Sequence, residues 1–139
     1  MQDSYKAPLA IAGRLMLAAI FLVSPLVNLI PRFGDVVASM RVAGVPAAPV
    51  ALLLAIAMLL TGSLSLIAGY RARTGALLLV AFLVPATLFF HAPWRAADAA
   101  QASEQAIHFL KNIGLAGALL LIAAVGPGPG SVDIRRNRS

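Results

Sequence analysis

Apolar residues fall in four long blocks separated by short polar interruptions. No charged side chain occurs in residues 15–31, 42–70, 74–94 or 112–132. A helix needs about 20 apolar residues to cross a bilayer, and each stretch reaches or approaches that length. The pattern predicts four membrane spans, roughly residues 7–30, 47–70, 75–90 and 107–125. They use nearly the whole chain, so residues 1–139 read as one all-α domain, an integral membrane four-helix bundle.

The interruptions have patterns of their own. Phe33, Val36, Val37 and Met40 recur at i, i+3, i+4 and i+7, while Arg32, Asp35 and Arg41 take other angles. That spacing predicts a short helix, roughly residues 33–43, lying in the membrane interface. Gly44-Val45-Pro46 breaks it before the second span. Residues 95–106 are rich in alanine and glutamine, with Asp98 placed to cap a helix and Gln101 to reach back. Gly126-Pro127-Gly128-Pro129-Gly130 ends the fourth span, and residues 126–139 read as a short basic tail.

Composition agrees with lipid as the solvent. The chain is 60% hydrophobic and 12% charged, against about 25% charged in soluble domains. The absence of cysteine excludes disulfides, thiol catalysis and iron–sulfur ligation within the chain. A net charge of +6 raises nucleic acid as a partner, but no basic face interleaves with aromatics. Instead the cations sort by loop. Lys6, Arg14, Arg71, Arg73, Arg135, Arg136 and Arg138 fall on one side of the four spans; Arg32, Arg41, Arg95 and Lys111 fall on the other, diluted by Asp35, Asp98 and Glu104. The positive-inside rule then places both termini in the cytoplasm and the stretch Phe89–Asn112 outside. Arg14 interrupts the first apolar block, which reads as an uncleaved span that also serves for targeting.

Polar residues within the spans are few. Arg14 either snorkels to the headgroups or points into the bundle towards a polar partner or an anionic headgroup. Pro25 should kink the first span and free the Phe21 carbonyl. Ser24 and Asn28, four apart, share a face there and either satisfy a neighbouring helix or line a polar pocket. In the second span Ala57, Thr61, Ser65 and Gly69 make a small-residue ridge suited to close helix packing, with a ligand role for Thr61 or Ser65 as the minority reading. Gly114 and Ala118 offer a similar site in the fourth. Pro85 should bend the third span.

Chemistry concentrates in Phe89–Asn112, which holds both histidines and the single tryptophan. His91 and His108 end the third span and begin the fourth, so antiparallel helices place them at one depth. Two such histidines can ligate haem, but interfacial histidines at helix ends are the commoner case, and no metal site is expected. His108, Lys111 and Asn112 lie within one helical turn. With His91 and Trp94 they would make a donor-rich, aromatic-walled pocket suited to a quinone carbonyl. The bland alternative has Lys111 snorkelling, Asn112 bonding the preceding loop and Trp94 serving as an interfacial anchor. Nothing resembles a nucleophile–base pair, a phosphate loop or paired carboxylates, so no catalytic residue is assigned.

Six short pieces in order, each at a helix boundary, resemble the DoxX family of small four-helix membrane proteins. They are Gly13-Arg14-Leu15, Gly44-Val45-Pro46, Gly69-Tyr70-Arg71-Ala72-Arg73, His91-Ala92-Pro93-Trp94, Phe109-Leu110-Lys111-Asn112-Ile113, and Gly126-Pro127-Gly128 with Ser131-Val132-Asp133. The resemblance implies a multi-pass protein of the bacterial inner membrane. It also implies a link to quinone-dependent redox systems, since relatives include the membrane subunit of thiosulfate:quinone oxidoreductases. The chain departs from the family where a glycine and a lysine late in the first span become Pro25 and Asn28. An acidic residue early in the second appears as Leu59, which leaves the membrane interior without a carboxylate. The resulting expectation is an accessory or anchor subunit with a bound quinone, no intrinsic cofactor, and lipid and redox-complex subunits as partners. The competing expectation is a structural subunit of a larger membrane complex with no redox chemistry of its own. A small-molecule carrier is the weakest reading, because the spans hold no ionisable residue besides Arg14 and show no internal repeat.

Overall fold

Each span forms because a long apolar run leaves the backbone no solvent partner, so every N–H must bond within its own helix. The computed structural model describes residues 5–136, and all regular structure in them is helical. Helix α1 (Lys6–Ser24) runs into a π turn (Pro25–Leu29). Helices α2 (Phe33–Val42), α3 (Ala48–Ala68) and α4 (Ala72–Phe90) follow, then a 3-10 turn (Pro93–Arg95), α5 (Ala99–Val125) and a short α6 (Val132–Arg136). Four segments are long and apolar enough to cross a membrane: Lys6–Leu29, Ala48–Ala68, Ala72–Arg95 and Ala99–Val125.

Three boundaries differ from the sequence reading. The fourth span begins at Ala99 rather than near residue 107, because nothing between Ala99 and Val125 breaks the helix. Its start is fixed by Asp98, whose Oδ1 accepts the Gln101 N–H at 2.8 Å, while Gln101 Oε1 accepts the Ala97 N–H at 2.7 Å. At 1.5 Å per residue the 27-residue helix is about 40 Å long, so it outreaches a hydrocarbon core of about 30 Å. The third span begins three residues early, at Ala72, after Arg71 adopts a left-handed conformation with φ 47°. The tail is partly folded: Ser131 is fully buried and residues 132–136 are helical. Arg138, counted with that tail, lies outside the described residues.

Pro25 acts as its chemistry requires. It has no N–H to give the Phe21 carbonyl, and the helix widens there so that the Ile30 N–H bonds Pro25 O at 3.0 Å. Pro85 is absorbed inside α4 without ending it.

Helix α3 packs between α1 and α4, and α4 packs in turn against α5. The main core joins Ala18 and Phe21 of α1, Leu59 and Leu66 of α3, Leu79 and Leu83 of α4, and Leu119 of α5. Helix α2 closes a second cluster, with Val37 and Met40 set against Ala48 and Leu52.

The closest helix approach is not along the expected ridge. A Cβ built on Gly62 would lie 2.6 Å from Leu79 Cγ and 3.0 Å from Gly75 O, so the backbones of α3 and α4 meet there. Ala57 and Thr61 are exposed on the outside of the bundle. The ridge runs one residue off the true contact face, and only its Ser65–Gly69 end joins the packing. Thr61 tolerates exposure because its Oγ1 bonds the Ala57 carbonyl at 2.6 Å, which satisfies the hydroxyl within its own helix. Gly114 likewise faces open space rather than a neighbouring helix.

Candidate functional site

Where α1 bends at Pro25 and α2 lies across the bundle end, a cleft of about 450 Å³ opens towards α5. Phe21, Leu52, Leu59, Phe82 and Leu115 are among its apolar walls, and Val36 and Met40 of α2 close one side. Its polar lining comes from Ser24, His91, Lys111 and Asn112. The volume and the ratio of apolar wall to few polar groups suit a small organic ligand.

Each polar group is positioned by a traceable contact. Thr87, buried on α4, donates to its own Leu83 carbonyl at 2.7 Å and accepts from Asn112 Nδ2 at 3.0 Å. That bond ties α4 to α5 beside the cleft. His91 Nδ1 lies 3.0 Å from Gln105 Oε1, so neutral His91 carries its proton on Nδ1. The His91 and His108 rings stack at 5.0 Å with 29° between planes. Lys111 Nζ lies 3.4 Å from His108 Nδ1, which makes that nitrogen the acceptor.

Of the five candidate binding residues, His91, Lys111 and Asn112 thus line the cleft. His108 backs His91 from behind. Trp94 sits outside, 63% exposed and edge-on to Phe109 at 5.5 Å. The stacked imidazoles set ring face against ring face across the α4–α5 contact. Among the described residues no three of His, Cys, Asp and Glu gather as metal ligands.

The buried polar candidates divide. Ser24 is half-buried at the cleft wall, but Asn28 is exposed. The π turn is the reason: its i→i+5 bonding shifts the helix by about one residue, so positions four apart no longer share a face. Arg14 is buried at 3% exposure. Its Nη1 donates to Pro127 O at 2.8 Å and its Nη2 to Gly130 O at 3.5 Å, so it points into the bundle and meets backbone carbonyls.

The comparisons with known proteins sharpen this picture. The DoxX family model matches residues 9–92. The chain belongs to the DoxX family. It is also 30% identical, over 103 residues, to the inner membrane protein YphA of Escherichia coli strain K12, covering 74% of this chain and 73% of that protein. No solved structure matches. The family match ends at Ala92, so it reaches His91 but not Lys111 or Asn112.

Three of the six family-like pieces meet at the end of the bundle opposite the cleft. Gly126, Gly128 and Gly130 all take positive φ, at 103°, 75° and 78°, a region glycine enters freely. The alternating prolines hold the loop between them, and the loop turns its Pro127 and Gly130 carbonyls to Arg14. Gly69 is left-handed at φ 63°, and a Cβ there would meet Ser131 Cβ at 2.5 Å and Arg14 Nη1 at 3.0 Å. Asp133 accepts the N–H groups of Arg71 at 2.8 Å and Ala72 at 3.0 Å, capping α4. Arg73 gives Nη1 to Ala123 O at 3.1 Å and Ala124 O at 2.8 Å, and Nη2 to Val125 O at 3.3 Å, capping the other end of α5. Sequence reasoning missed Thr87, Gln105, Arg73 and Asp133 as positioning groups. The signal available was Ser131-Val132-Asp133 itself, short acceptors following a glycine–proline run.

Proposed function

We propose that this DoxX-family chain binds a quinone or quinol in the cleft and serves as an accessory or anchor subunit of a quinone-linked redox system. One observation carries the reading: Lys111 and Asn112, which carry side-chain donors, line the polar part of an otherwise apolar cleft of about 450 Å³ together with His91 and Ser24. A quinone carbonyl accepts hydrogen bonds from such donors, and its ring packs against Phe82, Phe90 and Leu115. In this reading the chain's own residues bind and orient the ring, and a partner subunit carries electrons. The cation count favours an orientation with the arginine end in the cytoplasm and the cleft towards the outer face of the inner membrane, the membrane named for the YphA relative.

The test is purification in mild detergent, extraction and quantification of bound quinone. Near-stoichiometric quinone in the wild-type protein, lost in Lys111→Ala and in Ala86→Phe, is the expected result. Ala86 lines the cleft, so the second variant fills it without touching a donor. Quinone absent from wild type, or retained by both variants, would sink the reading.

A second reading rests on α5. Its membrane-spanning window is 11% buried, and Leu110, Ile113, Leu121 and Val125 are all more than half exposed. A structural subunit packing into a larger membrane complex would present such a face. Co-purification of a stoichiometric membrane partner with a quinone-free protein favours it.

A further inference from the structure

At the arginine end a second cleft, of about 620 Å³, opens between the α3–α4 loop, the Gly126–Gly128 segment and α6. Three guanidinium groups line it, from Arg71, Arg73 and Arg136. From the way they are held we infer that this cleft binds the phosphodiester headgroup of an anionic phospholipid. The inference does not depend on what occupies the first cleft.

Tyr70 organises two of the three arginines. The Arg71 Cζ lies 5.9 Å and the Arg136 Cζ 5.6 Å from its ring centroid. One aromatic ring thereby gathers two like charges contributed by separate segments of chain. The third cation, Arg73, is set by the carbonyls that end α5. Asp133 is the carboxylate lining this cleft, and both its oxygens already accept backbone N–H groups of Arg71 and Ala72. The cleft thus sets three cations against one carboxylate. Cations collected in this way repel one another, and a phosphate oxygen bridging them turns that repulsion into charge-assisted hydrogen bonds.

The surroundings favour a lipid over free phosphate. The cleft lies where α3 ends, α4 begins and α5 ends, the level of the headgroups if these helices span. Val125 lines it and is 73% exposed, with Leu121 at 64% one turn deeper. A headgroup held by the arginines would thus have its acyl chains laid along the apolar face of α5. Basic pockets between spanning helices are established sites for acidic lipid headgroups.

Native mass spectrometry of the full-length protein, stripped of lipid in detergent and titrated with phosphatidylglycerol or phosphatidylcholine, tests this. Wild type should retain phosphatidylglycerol preferentially. Arg71→Gln with Arg136→Gln should weaken that retention by about fivefold per arginine, and the single charge reversal Arg136→Glu, at an exposed position, should abolish the preference. Arg32→Gln with Arg41→Gln removes equal charge at the opposite end and should leave it intact. Equal retention of the two lipids, or equal loss in both double variants, overturns the inference. Displacement of phosphatidylglycerol by millimolar inorganic phosphate also overturns it, by assigning the site to a free anion.

Discussion

Arg14 and Pro127 are 113 residues apart in sequence and joined by a 2.8 Å hydrogen bond from guanidinium to carbonyl. The bond closes the chain, fastening the first span to the loop that follows the last. A buried arginine inside a span is costly unless its donors are met; here a glycine–proline loop accepts from Nη1 and Nη2, while Nε stays buried without a partner.

Arg14→Leu should therefore lower stability by about 1–3 kcal/mol, since it strands the buried Pro127 carbonyl. Arg14→Lys should recover part of the loss, because an ammonium reaches one acceptor but cannot fork to two. Thermal unfolding in detergent measures both. A Leu variant as stable as wild type would mean the carbonyls find other partners.

Asp133→Ala should cost about 1–2 kcal/mol, the usual loss for a removed helix cap. Hydrogen exchange at the Arg71 and Ala72 amides should accelerate, with amides in the middle of α4 little changed. Asp133→Asn keeps one acceptor and should fall between. Unchanged exchange at those two amides would contradict the capping role.

Two glycine-to-alanine changes should separate. Gly62→Ala forces α3 from α4 against Leu79 and Gly75 and should cost about 1–3 kcal/mol. Gly114→Ala meets open space and should be neutral or stabilising by up to about 1 kcal/mol, the helix preference of alanine over glycine. Equal effects would place the close contact elsewhere.

The Thr87–Asn112 bond can be isolated by a double-mutant cycle using Thr87→Val and Asn112→Leu. The coupling expected for a hydrogen bond between spanning helices is about 0.6 kcal/mol, and no more than about 1.7. A cycle that closes at zero would mean that the bond does not couple the two spans.

The four long apolar helices, the short helix Phe33–Val42 and the cap at Asp98 were legible because each depends on local pattern: an apolar run, a 3.6 period, an acceptor before a helix. The partner of Arg14 was not, since a backbone carbonyl carries no residue signature and lies more than a hundred positions away. Asn28 was misplaced because a proline announces a kink but not the π turn that rotates the residues after it. The Ala57–Gly69 ridge misled because spacing finds small residues without saying which neighbour they meet; Gly62, one position from Thr61, is the one against α4. At the candidate site, His91, Lys111 and Asn112 were named from their chemistry. Gln105 and Thr87, which position them, have ordinary side chains whose roles exist only across the α4–α5 contact.

The Arg14 contact also fixes where this molecule can yield. The first span is sewn to the far end of the chain at one rim, while at the other rim the Thr87–Asn112 and His91–Gln105 bonds join only α4 and α5 to each other. Among the described residues no side-chain hydrogen bond ties α1 to α5 at the cleft rim, so a wedge entering there from the bilayer would part the spans about the arginine rim, like a pair of tweezers.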